Sequence, residues 1–305
     1  MNMTQLITIS ESLMKRYVLV LAVFGLATIA QAASGNWNAD AAGNWSDTTK
    51  WSPATVPGTT AGDVVSLTYN LTAARIMTID TTARTVGTLN IGDPSTAFFG
   101  YTLAASGGAS LTFDNSGSGA SLVRAPTTAA DLVSTPLILA DNLTVNNSGS
   151  GGLTISGVVS DGGSGKGITK INTGTLTLTG ANTYYGTTTI NSGNLTLDFS
   201  ATGAPASGII NNGATSPATA NSALVLGSGT LTLKGKGTTV NTQYFKDTTL
   251  STNRGSVVTL TQNSATSLTA ALGAITRNAG STLNFSSTPS TSGIIATTST
   301  GNETS

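Results

Sequence analysis

The chain has 305 residues, thirteen basic and thirteen acidic side chains, and neither histidine nor cysteine. Charged residues make up 9% of it, against roughly 25% in an average soluble domain. Neutrality removes the electrostatic footprint that nucleic acid or an anionic membrane would need; the missing residues remove disulfides, thiol chemistry and the usual general base and metal ligand.

The first element is a basic pair, Lys15 and Arg16, ahead of a thirteen-residue apolar run from Tyr17 to Ile29. Ala30-Gln31-Ala32 follows. Basic flank, short apolar core and small-residue site are the pattern of a secretory signal peptide over residues 1–32, cleaved after Ala32 with Ala30 at the other small position. The run is too short to span a bilayer. Met14 reads as the natural start and Ala33 as the first mature residue. No later apolar stretch is long enough for a transmembrane helix.

Residues 33–68 hold all three tryptophans, Trp37, Trp45 and Trp51. They read as a cap over the open end of a stacked core rather than a sugar-stacking platform, because exposed sheet edges need covering. Asp63, in the turn before "VVSLT", is expected to bond local backbone.

From residue 69 to 285 a short alternating pattern recurs: "TLNI" (88–91), "SLTF" (110–113), "NLTV" (142–145), "GLTI" (152–155), "TLTL" (175–178), "NLTL" (194–197), "TLTL" (230–233) and "TLNF" (282–285). Alternation of apolar and polar residues is the period of a half-buried strand. Threonine suits the outward position, and Gly, Asn and Ser between the strands mark turns. Leu89 to Leu111, Leu153 to Leu176 and Leu176 to Leu195 are each separated by about 20 residues, the length of a solenoid coil. The reading is an all-β, parallel β-helix of about twelve rungs and about 60 Å of axis; a β-sandwich with evenly spaced hairpins is the alternative. Pro136 rules out a long helix in "AADLVSTPLILADNL".

The stretch "GKGITKINTGTLTLTGANTYYGTTTINSGNLTL", residues 165–197, resembles the autotransporter-associated β-strand repeat, also called the passenger-associated transport repeat. Lys170, Leu176, Leu178, Gly180, Asn182, Thr183, Tyr184, Gly186, Ile190, Gly193 and Leu195 carry the resemblance. Asn172-Thr173 stands where the family often has a glycine pair. The resemblance implies a right-handed β-helix displayed at the surface of a Gram-negative cell, with the repeat aiding passenger export. An outer-membrane barrel, in cis if the gene continues, and a host or environmental surface or polysaccharide are the partners it implies. Physically, a coil that contacts only its neighbours can fold rung by rung as it emerges.

No catalytic residue, cofactor or metal is expected. "SDGGSGKGIT" (160–169) lacks the glycine and hydroxyl a phosphate loop needs and reads as a turn between rungs; one aspartate there is too few for calcium. Of Tyr184 and Tyr185, one is expected to pack inward and the other to face solvent. Asp80, Asp93, Asp114, Asp131, Asp141, Asp161 and Asp198 are scattered singly, mostly beside turns. Arg75 and Arg84 near Asp80 could form one local ion-pair cluster, a solvated pair rather than a catalytic site. The expectation is therefore a non-enzymatic exported stalk or adhesin; the alternative is a β-helical polysaccharide binder or lyase-like protein. Residues 286–305 read as a polar tail separate from the fold, in a chain truncated before further repeats.

Overall fold

A computed structural model of the chain describes residues 33–80, 82–95, 98–287 and 293–296. Residues 1–32, where the signal peptide with Ala30 and Ala32 is expected, lie outside the described residues. Among these residues no helix is long and apolar enough to cross a membrane. The strands gather into sheets of eleven, ten, four and three strands.

The fold is the expected parallel β-helix. Val64–Leu67, Arg75–Ile79 and Arg84–Val86 form three walls of one coil; Thr88–Ile91, Tyr101–Ala105 and Leu111–Phe113 form the same walls of the next. The eleven-stranded sheet is the first wall and the ten-stranded sheet the second. The third wall comes in two pieces. The four-stranded sheet ends at Val159–Ser160, and the three-stranded sheet begins at Val240–Tyr244. Among the described residues, one second-wall strand per coil gives ten coils, about 45 Å of axis at the spacing of neighbouring strands. That is fewer than the twelve expected, because residues are spent on corner loops, the longest running between Asn194–Asp198 and Leu224–Leu226.

Register explains the core. On the first wall, Val65, Leu89, Leu122 and Val145 stack in line, followed by Lys170, Ile190, Leu226 and Leu250. On the second wall Leu153, Leu176, Leu195, Leu231 and Val258 form one inward column, and Ile155, Leu178, Leu197, Leu233 and Leu260 the next. Nearly all are fully buried, and each apolar member is worth roughly 1.5–3 kcal/mol of transfer before ordering costs. Outward between these columns run Thr154, Thr177, Thr196, Thr232, Thr259 and Ser286. A second hydroxyl row, Thr88, Ser121, Thr144, Thr169 and Thr189, climbs the first wall.

The spacing of Leu153, Leu176 and Leu195 is a true coil-to-coil distance. That of Leu89 and Leu111 is not. Leu89 pairs with Leu122, whereas Leu111 sits on the third wall opposite Leu137.

The tryptophan segment is itself the first coil. Gly35–Trp37 pairs in parallel with Val64–Leu67, and Trp51–Ser52 runs antiparallel against its other side, closing the wall's edge. Trp37, Trp45 and Trp51 are buried. Trp51 packs edge-on to Trp37 at 5.2 Å and tilted against Trp45 at 4.9 Å. Each indole N–H donates to a carbonyl, of Ala39, Pro57 and Trp45 respectively. No face is left for a sugar. The tail also departs from expectation. Thr282–Ser287 extends the second wall, and Gly293–Ala296 pairs in parallel with Ser267–Ala271.

Candidate functional site at the coil-switch repeat

Lys170 points inward, in column with Val145 and Ile190, and is buried. A lysine in an apolar column needs somewhere to put its charge. The side chain runs to the corner between the first and second walls, where Nζ donates to the carbonyls of Ile171 at 2.7 Å, Asn172 at 2.6 Å and, at 3.5 Å, Ser192. Three acceptors suit the three donors of an ammonium. Burial still pulls its pKa down to about 8. The corner it ties is tight. Asn172 is left-handed (φ 62°) and donates through Nδ2 to Asn146 at 2.6 Å, a conformation asparagine tolerates where the family favours glycine. Gly193 (φ +70°) lies one coil on; a Cβ there would stand 2.3 Å from the Asn172 carbonyl and 2.9 Å from Lys170 Nζ.

Asn182 does the work of a missing strand. Its coil falls in the gap between the two pieces of the third wall. Its side-chain oxygen accepts from Val159 N, at the end of the first piece, at 2.8 Å, and its Nδ2 donates to the Ile209 carbonyl at 2.9 Å. The Thr183 N–H donates to the Val159 carbonyl, and the Asn182 carbonyl accepts from Asn212 N. One fully buried side chain thus bridges the coils on either side. Gly180 and Gly186 permit the approach; a Cβ at either would meet backbone at 2.6 and 2.2 Å.

Tyr184 is fully buried and hydrogen-bonds the Thr188 hydroxyl at 2.7 Å, which in turn reaches Ser222 at 3.2 Å. Tyr185 is 48% exposed, so the pair splits as expected. Leu176, Leu178, Leu195 and Ile190 fill the inward columns.

These features fall within one matched segment: residues 168–197 fit the family model of the passenger-associated-transport-repeat. The chain carries a passenger-associated transport repeat. The repeat supplies first-wall strands Ile168–Ile171 and Thr188–Ile190 and second-wall strands Thr175–Leu178 and Asn194–Asp198, two successive coils on two walls. Ile168 pairs with Thr188 and Thr175 with Asn194, the closest coil spacings on these walls among the described residues. No curated protein and no solved structure matches the chain.

The other candidates sort plainly. The turn at 160–169 is built on Asp161, which accepts from Gly163 N and Lys166 N. Asp63 accepts from Thr59 N and Thr60 N, and Asp141 from Asn115 N and Gly117 N. The Arg75–Asp80–Arg84 cluster does not form as an ion-paired group. Arg75 pairs with Asp40 at 2.9 Å, Asp80 holds the Ser46 hydroxyl and N–H, and Arg84 Nε is buried without a hydrogen bond. Nor does Asp131, beside its corner, stand singly. It forms a fully buried ion pair with Arg124 at 2.7 Å and accepts from Tyr101 N at 2.8 Å. Arg124 stands inward between Ile91 and Asn147, and its guanidinium also meets the Thr127 and Ala129 carbonyls. It serves its corner as Lys170 serves the repeat's.

Proposed function

We propose that the chain is exported and displayed as a non-enzymatic β-helical passenger, its body a stalk or adhesive surface, and that residues 168–197 assist passage through the outer membrane. The observation that carries this reading is the way the repeat sits in the coil. It continues both long ladders in register while bridging, through Asn182, the point where the third wall changes over. A segment that forms without a complete third wall, with its charge tied by its own carbonyls, suits a chain that folds from one end as it emerges. The absence of His and Cys, and the engagement of Asp63, Asp141 and Asp161 by backbone N–H groups, support a structural rather than a catalytic role.

The test fuses the full chain ahead of an outer-membrane barrel in a Gram-negative host and measures surface arrival by protease shaving. Deleting residues 168–187 removes one coil and brings Ile190 over Val145. Deleting residues 143–167 removes the coil before it and spares the repeat. Several-fold lower surface arrival for the first deletion, with the second near wild type, is expected. Equal behaviour of the two deletions would overturn the export role.

A further inference from the structure

The loop Thr68–Thr72, at the corner between first-wall strand Val64–Leu67 and second-wall strand Arg75–Ile79, forms with Asp40 an open cleft of about 490 Å³, within the range of small-molecule sites. Its backbone is fixed from three sides. Leu71 is buried beside the buried carboxylate of Asp93, which holds Ser95 N at 2.8 Å and Phe99 N at 3.0 Å in the next coil. The Tyr101 hydroxyl donates to the Tyr69 carbonyl at 2.7 Å. Thr72 N donates to Asp40 Oδ1 at 3.2 Å, and its hydroxyl donates to Oδ2.

What this anchored loop presents is unpartnered. Tyr69 is 38% exposed, and Asn70 is exposed beside it. Neither the Tyr69 hydroxyl nor the Asn70 amide makes a hydrogen bond among the described residues. Asp40 and Arg75, bonded at 2.9 Å, are each a quarter exposed. The cleft therefore offers a tyrosine ring, a free amide and a part-exposed carboxylate on an anchored loop, and Arg75, bonded to that carboxylate from outside the lining, balances its charge.

We propose that this cleft is a binding subsite for a neutral saccharide unit. A pyranose ring has an apolar C–H face that packs on an aromatic side chain with a polar tip. Its hydroxyls, each donor and acceptor, match an amide and a carboxylate. The mutual neutralisation of Asp40 and Arg75 gives no attraction for a uronate or sulfated sugar. Bonds from Arg75 and Thr72 hold the Asp40 carboxyl down at about 2, so it is an acceptor throughout the working range. The inference goes beyond the export reading and does not depend on it. The cleft is built by the first three coils, away from the repeat.

The full chain would be run by affinity electrophoresis in gels containing hydroxyethylcellulose, laminarin or galactomannan, with polygalacturonate as the charged comparison. Retardation by at least one neutral glycan is expected. It should weaken at least tenfold in Tyr69→Ala and several-fold in Asn70→Ala, stay within twofold in Tyr69→Phe, and be unchanged in Tyr185→Ala, an exposed tyrosine on the repeat. No retardation by any neutral glycan, a preference for polygalacturonate, or equal loss in Tyr69→Ala and Tyr185→Ala would each overturn the assignment. Tyr69 makes no side-chain bond within the fold, so loss in its variants reports on the cleft and not on folding; unchanged thermal unfolding checks this. Surface display is scored separately, so either reading can fail alone.

Discussion

At the scale of single residues, the buried lysine of the repeat is the most informative group. Burial holds the Lys170 ammonium at about 8, below its ordinary 10.5. Between these values the unfolded chain binds a proton that the folded chain has released, so stability contributed through Lys170 rises as pH climbs from about 8 to 10.5, and below 8 the desolvation cost is fully present. The rise amounts to at most about 3.5 kcal/mol, and the three carbonyl bonds to the charged form reduce it. Denaturant titrations of wild type and Lys170→Met at pH 7 to 11 would show it as a difference in slope. Identical slopes would mean that the ammonium is solvated after all. The sequence marked Lys170 through the resemblance, but not its direction, since lysine is rarely found fully buried. The role of Asn182 was equally hidden. In linear sequence it is one more turn residue, and only the gap in the third wall makes it a bridge.

At the scale of strands and corners, the buried Arg124–Asp131 pair makes the sharpest prediction. Arg124→Met leaves Asp131 as an unpaired buried charge and should cost about 3–5 kcal/mol, whereas Arg124→Met with Asp131→Leu should recover much of that loss. A double-mutant cycle by chemical denaturation decides it. A double variant no better than the single would show that the Tyr101 N–H and the corner carbonyls, rather than the charge pair, need these groups. The strands themselves were legible. In "TLTL" and "NLTL" the leucines point in and the threonines out, because a period of two admits little else. Which wall each strand joins was not. Leu89 and Leu111 share the motif and a coil-like spacing, yet lie on different walls, because the chain between Thr88–Ile91 and Leu111–Phe113 is as long as a coil elsewhere. Arg124 and Asp131 were illegible for the same reason. A six-residue corner brings them together, and their charges read as surface. The Tyr69 cleft carries no sequence signal, since its parts come from residues 40 to 75 and belong to no motif.

At the scale of the whole molecule, coils contact mainly their neighbours, so damage should stay local. Trp45→Ala removes a fully buried ring from the first coil, a loss of about 3–5 kcal/mol. Hydrogen exchange should then show lost protection in Gly35–Trp37 and Val64–Leu67, with Leu153–Ile155 and Thr230–Lys234 unaffected. Uniform loss across the ten described coils would instead indicate a single cooperative unit. The hydroxyl rows on the outer walls carry a different consequence. Among the described residues there are three ion pairs, one of them sealed in the core. Dissolved salt weakens interactions between exposed charges over about 8 Å at physiological strength, but a wall wetted by Thr154, Thr177, Thr196, Thr232 and Thr259 offers it little to screen. Such a surface is hydrated in much the same way in fresh water and in brine.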